Sequence, residues 1–474
     1  MMMTPIAVLL VATPSMALSA SSPAGLMEKL KAKPAGQAIV DEFALRSTGK
    51  GSPHRASTRR IFDDGAEVRV KLYRDSAAWC PYCQKLWMML EEKEINYEVE
   101  LINMRSYGDK PASFTNKVRG GFLPALELDG AMYTESLDIM AMLDDAFVGG
   151  DGHRELLPPR ESPEFARARQ LLQLERQLFR AWCDYVFRGG FGSKRNFEST
   201  MGAVDRALGE QPGPWFSDFS DGPSLVDLQF VSHVERIAAS VPYWRGDVVR
   251  GSGKYPNVDA WFEAFERRPS YRASRSDWYT HVNDIPPQYG NGASSNTKEQ
   301  RAFAEAIDGG DAAWTLPLPA LATSDAPSDV LQPGWETDEA AAPTEAAYHV
   351  LTNLDAVAAF AARGAGQPGG WAFGRPDRAR LADPMAKPAT GPVADHVRDA
   401  LLLVGEVLLD DCSVDNADAT ALKALSKSDK ADVKACLAYV RDRVGVPRDM
   451  SYPAARCLRA TLNWARDQLD AEAA

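Results

Sequence analysis

The chain has 474 residues, 45% hydrophobic and 25% charged, with a formal net charge of −12. That length holds about two to three domains, and the acidic balance argues against a general nucleic-acid binder. Six cysteines, at positions 80, 83, 183, 412, 436 and 457, are too sparse for a secreted disulfide scaffold and suit a reducing compartment.

Residues 1–60 read unlike the rest. The apolar run Ile6–Ala12 is too short to cross a bilayer, which needs about 20 apolar residues. The small residues Ala17 to Ser22 resemble a signal-peptidase site, and Arg46 to Arg60 is basic and free of acid. The pattern predicts a targeting leader of the two-part plastid type, or else a disordered tail. It therefore points to a plastid protein without a membrane span, the cytoplasm being the alternative.

Residues 66–150 alternate strand and helix signals. Strands are expected at 68–73, 97–102, 124–128 and 131–133, with helices at 82–93 and 135–146. A βαβ unit followed by a ββα unit is the thioredoxin-like plan. Cys80-Pro81-Tyr82-Cys83 falls where the first strand turns into a helix. There Cys80 sits beside free backbone N–H groups and the positive end of the helix dipole, which favour a thiolate. Pro81 occupies the first helical position, where its missing N–H costs nothing. Cys83 is one turn in, placed to attack a mixed disulfide on Cys80. Pro124 opens a strand, which suits a cis bond that leaves the Leu123 backbone free to pair with an extended ligand.

Residues 160–285 turn helical. Glu164–Phe187 carries Leu171, Leu172, Leu174, Leu178 and Trp182 along one side, and Ser224 with Asp227 forms a capping box. Residues 286–343, dense in Pro, Gly, Ser and Asp, read as a linker, with partial order around Trp314 and Trp335. Helical periodicity returns over 344–474, at Ala346–Ala361, Val393–Leu409, Lys430–Val444 and Pro453–Leu469. The fold class expected is an α/β thioredoxin-like domain, an all-α domain and a further mainly α-helical module.

The cysteine motif, the strand-opening proline, Glu135-Ser136 and the capping box together resemble the glutathione transferase superfamily, in its cysteine type, over about residues 66–285. The resemblance implies glutathione as cosubstrate and Cys80 as the reacting thiol, with Tyr82 in the same motif lining its site. It implies that Leu123 and Pro124 pair with the cysteinyl part of glutathione and that Glu135 and Ser136 hold its γ-glutamyl end. Lys110-Pro111 stands thirteen residues before Pro124, as the lysine that meets the glycyl carboxylate does in omega-like relatives. Cys83 stands where cysteine-type members often have Ser or Ala, so one-thiol and two-thiol routes both stay open. The expected partners are glutathione and small disulfides, thiols or electrophiles. A homodimer is common in this superfamily.

The stretch Tyr439 to Arg456, with Leu462-Asn463-Trp464, resembles the C-terminal extension of the iota class of photosynthetic organisms. That likeness implies flavin mononucleotide (FMN) as a further ligand. Arg441, Arg443, Arg448, Arg456 and Arg459 could hold a phosphate or carboxylate, or form a salt-bridged surface with Asp432, Asp442 and Asp449. Cys183 reads as core packing, and Cys412, Cys436 and Cys457 as structural, none having metal spacing. Tyr73 or Ser76 as a rival activator is disfavoured, since neither opens the helix. No metal is required. The reading is a glutathione-dependent thiol transferase, the alternative a non-catalytic glutathione or flavin carrier.

Overall fold

A computed structural model describes residues 22–219, 221–310, 312–321, 332, 334–370 and 381–471. The apolar run Ile6–Ala12 and the small residues up to Ser21 lie outside them. The disordered-tail alternative for residues 1–60 does not hold for residues 22–60. These form helices α1 (Pro23–Ala32) and α2 (Pro34–Ser47) and the edge strand β1 (Arg59–Arg60). α1 buries only Leu26 and Leu30, which join the core of the C-terminal helices. Polar contacts do the remaining work: Lys33 donates to Leu409 O at 2.8 Å, and Arg60 pairs with buried Glu91 at 2.8 Å. With so few apolar anchors, this segment carries little periodicity to read.

Strands β2 (Val70–Asp75), β3 (Tyr97–Ile102), β4 (Ala125–Leu128) and β5 (Ala131–Tyr133) complete a sheet of order β1-β3-β2-β4-β5. β2 and β3 run parallel, joined by helix α3 (Pro81–Glu92); the other pairs are antiparallel. Short α4 (Ala112–Lys117) precedes β4, and α5 (Ser136–Ala146) follows β5. This is the thioredoxin-like arrangement, with the cysteine motif at the end of central β2.

The helical domain holds α6 (Pro163–Cys183), α7 (Ser193–Leu208), α8 (Leu225–Arg245), α9 (Pro256–Glu266), α10 (Pro269–Ser274) and α11 (Trp278–Tyr289). α8 is buried almost throughout and starts on the expected capping box, Ser224 N donating to Asp227 at 2.8 Å. One apolar core runs from the sheet through these helices. Within the expected linker, Lys298–Ile307 forms α12, capped by Thr297 and burying Ala306 and Ile307 against the helical domain. Trp314 and Trp335 are also buried. The Pro/Gly-rich composition around α12 masked one short amphipathic helix.

The C-terminal module has α13 (Ala342–Thr352), α14 (Leu354–Ala361), α15 (Val393–Leu409), short α16 (Thr420–Lys423), α17 (Lys427–Arg443) and α18 (Tyr452–Asp470), around a second apolar core. The single helix expected over 346–361 breaks at Asn353. The module docks on α11: Val446 N donates to Thr280 Oγ1 at 3.0 Å, and Tyr279 OH to Asp442 O at 3.0 Å.

Candidate functional site

Cys80 is the N-cap of α3, half-buried, and Pro81 is the first helical residue. The loop that presents Cys80 is held from below by Asp75 at the end of β2. One Asp75 carboxylate oxygen accepts the Trp79 N–H at 2.6 Å and the Cys80 N–H at 3.1 Å. Cys83 is 1% exposed and hydrogen-bonds to Cys80. Burial pushes its thiol well above the ordinary range, reinforced by the Cys80 contact and the nearby Asp75. The two sulfurs and an Asp75 oxygen all lie within 4.8 Å of one another. Sequence reasoning missed Asp75, although a carboxylate ending the strand five residues before a cysteine motif was there to be read.

Sheet register gathers the other candidates at the same end. Tyr73 pairs with Ala125, so the Leu123–Pro124 bond lies beside the end of β2 that leads into the cysteine loop. That bond is cis. Tyr133 pairs with Leu126, and two residues later Glu135 caps α5 in a left-handed conformation (φ 67°). Glu135 is exposed and Ser136 half-buried. Lys110, half-buried, donates to Gly121 O just before the cis bond. Burial lowers its ammonium, and the charges of Cys83 and Cys80 oppose that shift.

Tyr82 points the other way from Cys83, toward the helical domain. Its ring meets His233 edge-on at 5.7 Å, and it hydrogen-bonds with Tyr289. Below it Lys85 donates to Gln229 at 2.7 Å, its ammonium pushed down to about 8 by burial. Trp79 bonds His281 at 3.0 Å, and His281 bonds Glu235 at 2.8 Å. Arg236 donates to Trp79 O and lies over its ring at 4.7 Å. The cysteine loop is thus fastened to α8 and α11 by buried hydrogen bonds, a role for Glu235 and His281 that no motif signalled.

The arginine cluster divides. Arg441 is engaged by Asp442 at 2.6 Å and Asn463 at 2.7 Å. Arg456 is 3% exposed, bonded to Pro319 O at 2.7 Å and 3.8 Å from Glu339. Arg443 and Arg448 instead line a cavity of about 500 Å³ where α11, α17 and the loop after β3 meet. Arg448 pairs with Asp449 at 2.8 Å, which raises its already high pKa although burial opposes it. Arg443 stacks on Tyr439 at 3.5 Å and has no carboxylate partner among the described residues. Tyr107, bonded to Asp284 at 2.6 Å, also faces the cavity, and burial holds the Asp284 carboxyl up at about 6. Cys80 is not part of this cavity's lining. Tyr107 and Asp284 were not legible because only the packing of three modules brings them together.

Residues 79–146 match the family model described as "Glutathione S-transferase, N-terminal domain". The matches support the glutathione S-transferase superfamily. Protein IN2-1 homolog A of Oryza sativa subsp. japonica is 27% identical over 49% of this chain and 92% of its own length. Glutathione S-transferase L1 of Arabidopsis thaliana is 26% identical over 42% of this chain and 79% of its own. Among solved structures, glutathione transferase Omega 3C from Trametes versicolor is 25% identical over 45% of this chain and 86% of its own, with a TM-score of 0.38. Each of these relatives covers less than half of the chain. For this glutathione S-transferase-like chain, the family supports a glutathione-dependent enzyme and leaves the reaction to the chemistry of the site.

Proposed function

We propose that the protein is a cysteine-type, glutathione-dependent thiol transferase acting on small mixed disulfides. The observation that carries this is Cys80 at the N-terminus of α3, with the Cys83 thiol behind it and the cis Leu123–Pro124 bond beside it. A helix N-terminus stabilises a thiolate. Cys80 attacks the glutathionyl sulfur of the substrate disulfide; the substrate leaves as a thiolate and takes a proton. The enzyme is left as a Cys80–glutathione disulfide. The free Leu123 backbone, Glu135-Ser136 and Lys110 would hold the tripeptide along its length. Dehydroascorbate and glutathionyl-quinones are further substrates of the same chemistry.

A second glutathione resolves the mixed disulfide in this reading. Cys83 is buried and its thiol is pushed up, so it surrenders its proton less readily than a glutathione thiol in solution. The test is glutathione-dependent reduction of hydroxyethyl disulfide by the full chain. Cys80→Ser should lose at least about 100-fold in rate, and Cys83→Ser should keep activity within about threefold. Undiminished activity in Cys80→Ser would overturn the proposal.

Membership of the iota class and a plastid location are part of the same proposal. The relative Glutathione S-transferase L2 of Arabidopsis thaliana, named chloroplastic, supports the location weakly.

A second reading, a flavin carrier, is favoured by the cavity alone. Its volume suits a drug-sized ligand, and Tyr107, Phe360 and Tyr439 line it beside Arg443. Arg443 would meet the phosphate of FMN, whose ring would supply redox chemistry. A yellow protein that loses its colour in Arg443→Ala would support it; a colourless protein that fails to bind added FMN would sink it.

A further inference from the structure

The two thiols of the cysteine motif share their pocket with a carboxylate whose hydrogen bonding is incomplete. Asp75, at the end of β2, is 0% exposed. Its Oδ2 accepts the Trp79 and Cys80 N–H groups. Its Oδ1 is buried and accepts no hydrogen bond among the described residues. A buried acceptor left without a partner costs about 1–3 kcal/mol, and more when it is charged. Such an oxygen calls for a ligand. The buried neighbour Arg74 does not supply one. It donates to the carbonyl oxygens of Asp75 and Arg55 and pairs with no carboxylate among the described residues.

The atoms gathered there form a donor set for a soft divalent ion. Cys80 Sγ, Cys83 Sγ and an Asp75 carboxylate oxygen lie within 4.8 Å of one another. That is the scale of atoms arranged around one ion, since each zinc ligand stands about 2.0–2.3 Å from the metal. No second group of His, Cys, Asp and Glu comes together in this way among the described residues. Backbone elements fix all three positions: a strand end, a helix N-cap and the first turn of α3. Two sulfurs favour zinc over magnesium or calcium, which take oxygen ligands. Three protein ligands leave one tetrahedral position open, and half-buried Cys80 is the member nearest to solvent.

We propose that Asp75, Cys80 and Cys83 form a binding site for a thiophilic divalent ion of the zinc type, and that the ion holds the thiols out of reaction. Each thiol releases its proton to solvent as its sulfur–metal bond forms, Asp75 Oδ1 supplies the third ligand, and no electron changes hands. Two thiolates and a carboxylate carry three negative charges, which the ion and the buried Arg74 guanidinium balance. With its lone pair on the metal, Cys80 attacks no disulfide until a chelator or a competing thiol removes the ion. The site shares Cys80 with the reaction proposed above, but binding does not require that reaction.

The test uses the full chain, reduced and freed of metal by a chelator. It is titrated with cadmium ions while the ultraviolet sulfur-to-cadmium band is followed. The expected result is one cadmium ion per chain, displaced by excess zinc. Cys80→Ser combined with Cys83→Ser should abolish the band, which separates this site from the other cysteines. Asp75→Asn keeps an oxygen for the two N–H groups and should weaken binding at least about tenfold. Zinc should protect Cys80 from alkylation in the wild type but not, at the same concentration, in Asp75→Asn. Alkylation of Cys80 in the metal-free variant at the wild-type rate checks that its loop still forms. A band that survives in the double serine variant would overturn the proposal, as would Asp75→Asn binding cadmium as tightly as the wild type. A wild type that binds no cadmium would overturn it too, while leaving the thiol transferase reading in place. A wild type that binds cadmium yet, metal-free, reduces no disulfide would support the site and sink that reading.

Discussion

Arg459 of α18 donates to the Asp277 carboxylate at 2.7 Å with both side chains fully buried, and Asp277 is the N-cap of α11. The pair joins the C-terminal module to the helical domain. The other Asp277 oxygen takes the Thr280 N–H at 2.9 Å, while Arg459 also donates to Val444 O and lies over Tyr279 and Trp314. Removing one partner strands a buried charge, at a cost of about 3–5 kcal/mol. Arg459→Ala should therefore lower the urea midpoint and separate unfolding of the C-terminal module from that of the rest. A single transition at the wild-type midpoint would contradict this.

Residues 22–60 should be integral to the fold. Glu91 is buried, with a 3% exposed side chain, and receives Arg60 at 2.8 Å and 2.9 Å together with the Tyr97 hydroxyl. Removing residues 22–60 deletes that cation, uncovers the edge of β3 and takes Leu26 and Leu30 out of the C-terminal core. Arg60→Ala alone should cost about 3–5 kcal/mol, measured by urea denaturation. The shortened protein should be less stable still, since it also loses about 1.5–3 kcal/mol for each buried leucine. A truncated protein as stable as the full chain would contradict this.

Acidification should loosen the same segment. Phe43 of α2 packs against His54, His349 and Tyr348, at centroid distances of 5.1, 5.7 and 4.9 Å. Burial, with neighbouring Arg55 and Arg46, pushes His54 down to about 2; burial, then Arg55, pushes His349 down to about 4. Both folded values lie below the unfolded value of about 6.5. Below that pH the unfolded chain takes up protons that the folded chain refuses, so stability present at neutral pH is lost as pH falls from about 6.5 toward 4. Melting temperature should drop across this window, and His349→Gln should flatten the drop. An unchanged slope in that variant would refute the assignment.

What was legible in the sequence was what local pattern encodes. Alternation in β2 and β3, the proline before β4 and the Ser224–Asp227 cap each report a backbone state set within a few residues. Cys80, Cys83 and Pro124 could be placed because a strand end and a helix start are both local signals. The arginines of the tail could not be sorted. Arg459 makes a buried ion pair, Arg456 is sealed against Pro319, and Arg443 faces the cavity, yet all three stand in similar sequence surroundings. Which guanidinium is spent on structure depends on the carboxylates that other modules bring.

The role proposed for Lys110 can be separated from the chemistry at Cys80. Lys110 donates to Gly121 O, and the sulfur charges of Cys83 and Cys80 act on it, so it stands near the thiols without touching them. If it meets the glycyl carboxylate of glutathione, it contributes to binding equally in the ground and transition states. Lys110→Gln should then raise KM for glutathione while leaving kcat within about twofold. A charge-assisted hydrogen bond of about 1.5–3 kcal/mol corresponds to roughly 10–100-fold in KM. Because burial lowers the Lys110 ammonium, KM in the native protein should climb at alkaline pH below the pH at which an ordinary lysine titrates, and that climb should be absent in Lys110→Gln. A fall in kcat with KM unchanged would instead mean that Lys110 serves the cysteine loop through Gly121.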